Sequence, residues 1–119
     1  MNRRRSGALG EDMACAYLKN QGFRILERNY ARPTGEIDII AREGDVIAFV
    51  EVKARTSVRY GTPAEAVNRA KQAHILRTAL LYIAEHGLDD APMRFDIVEV
   101  LPDEIHLIRA AFDGSEWNA

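Results

Sequence analysis

The chain predicts a mixed α/β domain of the α+β kind: one sheet of about five strands flanked by helices, in the order αβββαββ. Three observations carry that expectation. Stretches in which apolar residues recur at every second position alternate with two stretches in which they recur at every third or fourth. A long helical stretch separates the third strand from the fourth, which is the connection a parallel crossover requires, right-handed by the usual rule. And 119 residues, with no internal repeat, low-complexity tract or linker-like break, suffice for one core, so residues 1–119 read as a single domain.

The elements follow in order. Ser6 is a candidate N-cap and Gly22 a candidate C′ residue for the first helix, whose apolar stripe reads Leu9, Met13, Ala16 and Tyr17, widened by Ala14 and Leu18. Residues 1–5 read as a loose tip, with Arg3 to Arg5 available to assist binding electrostatically. "FRILERNYA" is a strand, with Phe23, Ile25 and Glu27 alternating against Arg24, Leu26 and Arg28. "RPTG" turns into two further strands, about 36–42 and 46–53, joined by a tight "REGD" turn with Glu43 and Gly44 at its centre. "TSVRYGTPAE" is a connecting loop whose end starts the second helix: Thr62 caps it, Pro63 takes the first position and Glu65 closes a capping box. Asn68 offers a second cap, and Gly87 stops the helix after His86. Leu76, Ala79, Leu80, Ile83 and Ala84 read as the buried face of this helix. "MRFDIVEVL" and "EIHLIRAAF" are the last two strands, split by "PD", and residues 114–119 read as a loose tail with Trp117 packed on the domain.

Composition narrows the class. Apolar residues make up 47% and charged residues 29%, the balance of a globular protein, and no apolar run approaches the roughly 20 residues of a membrane span. Glu11 and Asp12 interrupt the basic start before any signal-like stretch develops. Cys15 is the single cysteine, which rules out an internal disulfide, suits a reducing cytoplasm and reads as a packed thiol. A net charge of −2 and a pI of about 5.9 argue against a dedicated nucleic-acid coat protein. The charge is nevertheless polarised. Lys53, Arg55, Arg59, Arg69, Lys71 and Arg77 fall in a stretch whose one acid is Glu65, whereas residues 85–104 hold seven acids and one base, Arg94.

The stretch "GEIDIIAREGDVIAFVEVKAR" holds the chemistry. It is a strongly apolar hairpin that carries Asp38, Glu51 and Lys53, charges that cost several kcal/mol in a half-buried sheet unless paired or metal-bound. With Glu43 and Gly44 in the turn, Arg42 faces Asp45, Ile40 faces Ile47 and Asp38 faces Phe49. Asp38, Glu51 and Lys53 then share one face, with the two carboxylates as diagonal neighbours able to grip one cation, and a one-residue slip would separate them. Glu36 is read as an acid on the other face, at the surface or supporting the site from behind. Hard oxygen ligands suit Mg2+ or Mn2+ and not zinc, and His74, His86 and His106 lack ligand spacing and read as structural or exposed. A cation there acidifies a water for attack on a phosphodiester, with Lys53 beside it to orient the water or offset charge. Glu11, in line with Ala14, Cys15 and Leu18 on the first helix, is placed to reach the metal or its water. The competing reading of the three charges is an ion pair on a solvent-facing sheet.

Together "GEDMACAYL", "GEIDIIA", "FVEVKAR", "YGTPAEAV" and "RFDIVEV" resemble the YraN-like proteins, small bacterial members of the PD-(D/E)xK nuclease superfamily, similar in core to archaeal Holliday-junction resolvases. The resemblance covers nearly the whole chain. It implies a restriction-endonuclease-like fold, with Asp38, Glu51 and Lys53 as the nuclease signature, Glu11 as the helical acid and the Val52 backbone carbonyl as a further metal ligand. Gly35-Glu36 stands where many superfamily members place a proline before the aspartate. Arg55, Arg59, Lys71 and Gln72 follow the site and are candidates to clamp phosphates, contacts that orient without reading bases. The implied activity is metal-dependent cleavage of DNA, branched or otherwise structured, by an enzyme acting as a homodimer. Two other classes are compatible with these residues: a nucleic-acid-binding module that keeps the fold with little turnover, and a structural or partner-binding protein that uses the fold as a scaffold and has no nucleic-acid affinity at any salt.

Overall fold

A five-stranded sheet in the order β1-β2-β3-β4-β5 forms the centre of the protein, seen in a computed structural model that describes residues 3–55 and 67–113. The elements are α1 (Arg3–Asn20), β1 (Arg24–Arg32), β2 (Gly35–Glu43), β3 (Val46–Ala54), α2 (Arg69–Glu85), β4 (Met93–Val100) and β5 (Ile105–Phe112). The order is the expected αβββαββ. β1–β2, β2–β3 and β4–β5 pair antiparallel, and β3 pairs with β4 in parallel through the α2 crossover, so the sheet is mixed. Both sheet faces are apolar, because each is covered by a helix. Ile40, Ile47, Phe49, Phe95 and Ile97 pack with Ile75, Ala79, Tyr82 and Ile83 of α2. Ile39, Ala41, Ala48, Val50, Val98 and Val100 pack with Ala14, Cys15 and Leu18 of α1.

Each helix is turned relative to the face expected from its apolar pattern. In α1 the buried residues are Gly10, Ala14, Cys15 and Leu18, while Leu9, Met13 and Ala16 are exposed. The small residues decide this: a Cβ on Gly10 would stand 3.4 Å from Ala54 Cβ, so the helix lies close to the sheet along its least bulky strip. The helix also begins at Arg3, three residues before the expected Ser6 cap, since arginine propagates a helix well. In α2 the buried residues are Ile75, Thr78, Ala79, Tyr82 and Ile83, with Leu76 half-buried and Leu80 and Ala84 exposed. Tyr82 sets that rotation, its ring lying edge-on to Tyr30 at 5.2 Å and to Phe49 at 6.1 Å, and an aromatic buries more area than a leucine. Asn68 is the N-cap of α2, its side chain accepting from the Lys71 amide at 2.9 Å. The Thr62, Pro63 and Glu65 signal lies outside the described residues, as do Arg59, Trp117 and the 114–119 tail.

A charged cluster of side chains from β2, β4 and β5 spans the α1 side of the sheet. Asp96 is completely buried and accepts from Arg94 Nε and Nη2, both at 2.8 Å, and from the Ala110 amide at 2.9 Å. Ala110 sits at φ 53 beside the β4–β5 register shift, so Asp96 satisfies the amide that the bulge takes out of the ladder. Glu43 accepts from Arg94 at 2.7 Å and from Arg109 at 2.9 and 2.6 Å, and the Arg109 contact first, with Arg94 behind it, holds its carboxyl down at about 2. Because the folded value lies below the unfolded one, this stabilisation is present above about pH 4.5 and lost as pH falls toward 2. Glu43→Gln is therefore expected to cost about 1 kcal/mol at pH 7, after discounting for solvent screening, and nothing near pH 2. Urea midpoints of both proteins across that range check it, and a constant difference would contradict it.

Candidate functional site

β2 and β3 are joined through Gly44 and Asp45, with Glu43 opposite Val46, Arg42 opposite Ile47, Ile40 opposite Phe49 and Ile39 opposite Val50. The expected register, with Ile40 opposite Ile47 and Asp38 opposite Phe49, is corrected by two residues. Gly44 at φ 59 supplies the conformation that a two-residue hairpin turn needs at its first central position, and so moves the turn by one residue. A two-residue slip preserves the face. Carried one step past Ile39 and Val50, this register sets Asp38 level with Glu51, not diagonal to it. There the regular ladder gives way, and Asp38 Oδ2 accepts the Val52 amide at 2.8 Å. The backbone group of Val52 seen at the site is thus its N–H, which anchors the aspartate; the resemblance concerned its carbonyl.

The two carboxylates open onto a cleft of about 280 Å³ between the sheet and the first half of α2, lined by Gly35, Glu36, Asp38 and Glu51 and by Lys71, His74 and Ile75. Glu36, expected on the opposite face, lines the cleft with Asp38. Residues two apart in a strand share a face, so simple alternation already puts Glu36 on the side of Asp38. Glu51 is buried, and its Oε1 stands 2.9 Å from Lys71 Nζ and 3.6 Å from Lys53 Nζ. Burial, then the charge of Glu51, pushes the Asp38 carboxyl up to about 7. The Val52 amide works against that, while Glu11's charge and a hydrogen bond with Glu51 add to it. Burial, then Lys71, lowers Lys53 against the pull of Glu51. For Lys71 burial acts downward, but hydrogen bonds to Glu51 and Lys53 leave it raised.

Glu11 approaches from α1 and does not line the cleft. Burial first raises its carboxyl, against Arg28 and Asn29 and with help from Glu36 and Asp12. Its Oε1 is buried without a hydrogen-bond partner among the described residues. No group of three His, Cys, Asp or Glu side chains among the described residues forms a metal cage. Mg2+ needs less than a cage, since it keeps several waters and is commonly held by one or two carboxylates plus substrate oxygens. The donor chemistry fits such an ion: two facing carboxylates of which one is held toward its neutral form, and an unpartnered glutamate oxygen nearby.

The other expected contact residues are placed apart from the cleft. Arg55 extends the parallel ladder, its amide bonding Val100 O at 2.9 Å, and its side chain packs with Nε 3.5 Å from Glu99 Oε2. Gln72 donates to Val67 O at 2.8 Å and lines a second cleft of about 400 Å³ with residues 110–113 of the β5 end. The sequence reading passed over Glu99 and took His74 as structural or exposed. Glu99 is buried on β4 directly beside Lys53, which aligning "VEVK" with "DIVE" in parallel would have shown. His74 is exposed, as expected, but lies three residues after Lys71 and so shares its helix face and the cleft.

Residues 10–100 match the model of "Uncharacterised protein family UPF0102". Over 92% of this chain and 89% of the relative, it is 52% identical to a UPF0102 protein of Syntrophus aciditrophicus. It is 47% identical to one of Acetivibrio thermocellus over 93% of each chain, and 44% identical to one of Moorella thermoacetica over 94% of this chain and 98% of that one.

Proposed function

We propose that this chain, which belongs to the UPF0102 family, is a metal-dependent phosphodiester hydrolase of the PD-(D/E)xK type that acts on DNA, with branched or otherwise structured DNA as its substrate. The observation that carries this reading is the convergence of Asp38, Glu51 and Lys71 on one cleft at the end of the β2–β3 ladder, with Lys53 3.6 Å from Glu51. Asp38 and Glu51 would hold Mg2+ or Mn2+, with Glu11 behind them; a divalent ion supplies charge to offset phosphate oxygens and makes water easier to deprotonate. Lys53 is the group beside the reacting centre, and its lowered proton affinity suits it to exchange a proton or to steady charge there. Lys71 and His74 form the α2 wall, where a phosphate backbone entering the cleft meets cationic and hydrogen-bonding groups.

One observation favours the second reading, a binding module without turnover: Glu51 is already neutralised by Lys71. The test is a panel of labelled linear, single-stranded and branched DNA and RNA, incubated with Mn2+ or Mg2+ beside Glu51→Ala. Cleavage by the wild type alone is the expected result. Cleavage that survives Glu51→Ala would reject this site, and salt-dependent binding without cleavage would favour the module.

A further inference from the structure

We infer that Lys71 is a resident cation of the site, occupying the position on Glu51 that a divalent ion needs, so that the ion binds by displacing it. The inference rests on the metal-site reading above. Its basis is a competition for one oxygen. Lys71 Nζ stands 2.9 Å from Glu51 Oε1, in direct contact, while Lys53 is 3.6 Å from the same atom. A divalent ion drawing on the Glu51 carboxylate takes its ligands at about 2.0–2.1 Å, which sets its charge roughly 4 Å from an ammonium in contact with that oxygen, and the two cations repel across so short a gap.

The two lysines differ in what they can do next. The Lys53 side chain is 21% exposed and rises from β3 beside Glu99, whereas the Lys71 side chain is 42% exposed and stands in the first turn of α2, three residues after the Asn68 cap. Lys71 therefore has solvent to turn into, and a lysine is a point charge on a flexible stem and not a rigid fork. The arrangement also explains how Glu51, buried in an apolar strand, is tolerated without an ion: an ammonium compensates it, and removing one partner of a buried pair is what destabilises. After displacement the Lys71 ammonium remains in the cleft with Glu51 no longer holding it, on the wall where substrate phosphate would lie.

The experiment is a Mn2+ titration of the whole chain, followed by the resonance signal of free Mn2+, for wild type, Lys71→Met and Glu51→Gln, with melting temperatures recorded with and without Mn2+. Lys71→Met is expected to bind Mn2+ about fivefold more tightly than wild type, the worth of a half-exposed ion pair, and Glu51→Gln to bind it more weakly. Without metal Lys71→Met should melt below wild type, and saturating Mn2+ should raise it by more than it raises wild type. Lys71→Gln, which keeps a donor to Glu51 without the charge, should shift both readings the same way and stands in if the methionine variant does not fold. Equal or weaker Mn2+ binding by the Lys71 variants, with wild-type binding intact, would overturn the displacement while leaving the metal site standing. No Mn2+ binding by any protein would overturn both.

Discussion

Asp38→Asn is expected to lower metal-dependent cleavage by about a hundredfold to a thousandfold while leaving the metal-free protein as stable as before, or more so by about 1 kcal/mol. The two effects part because the aspartate serves two masters. As a carboxylate it is a ligand; as a fold element it accepts the Val52 amide at 2.8 Å where the β2–β3 ladder ends. Asparagine keeps an oxygen for that amide and loses the charge, which burial and the neighbouring Glu51 already oppose. The protein is therefore expected to carry, at Asp38, strain that only a cation relieves, as sites kept for chemistry commonly do. Cleavage rate at saturating Mn2+ and the urea midpoint without metal are the two measurements. Activity lost together with stability would mean that Asp38 holds up the hairpin and nothing more, and undiminished cleavage would remove it from the site altogether.

The parts of the protein that were legible in the sequence are those governed by short-range pattern. Alternating Val, Ile and Phe revealed all five strands, and Asn68 announced itself as a cap although Thr62 and Pro63 competed with it. The acids of the hairpin were legible because three charges among apolar neighbours need a shared reason. What pattern did not settle was anything decided by contact with a second element. The turn admits Glu43–Gly44 or Gly44–Asp45 by composition, and only the positive φ of Gly44 chooses between them. In α1 the larger apolar residues Leu9 and Met13 suggested one face, but the closeness of the sheet selected Gly10 and Ala14. The side of Glu36 was misjudged against simple alternation, which puts it with Asp38 two residues on. The break in β2 lies instead between Ile37 and Ile40, which pack into one cluster. Asn29 at φ 53 and the register shift near Leu26 disturb β1 in the same way. Lys71 reaches Glu51 from a helix twenty residues downstream, a meeting that no local spacing encodes.

Asp96→Ala is expected to be the most destabilising single change among the charged residues, costing about 3–5 kcal/mol. Asp96 is completely buried, and three groups depend on it: the two Arg94 nitrogens at 2.8 Å and the Ala110 amide at 2.9 Å. Alanine would leave Arg94 with Glu43 alone and would strand an amide at a bulge whose φ of 53 an alanine adopts reluctantly. A domain of this size has about 5–15 kcal/mol in total, so the change consumes a large share of it. Asp96→Asn, which retains an acceptor for Ala110, is expected to cost less, about 1–2 kcal/mol, and Arg94→Met added to Asp96→Ala should recover part of the loss because it removes the uncompensated guanidinium. Urea unfolding of wild type, Asp96→Ala, Arg94→Met and the double variant forms the double-mutant comparison. The same variants separate fold from function: Asp96 faces α1, whereas the cleft opens toward α2, so the folded fraction of Asp96→Asn should bind Mn2+ as wild type does. Additive losses for Asp96→Ala and Arg94→Met would show that the buried pair is not coupled, and the stability assigned to it would then belong to the surrounding packing.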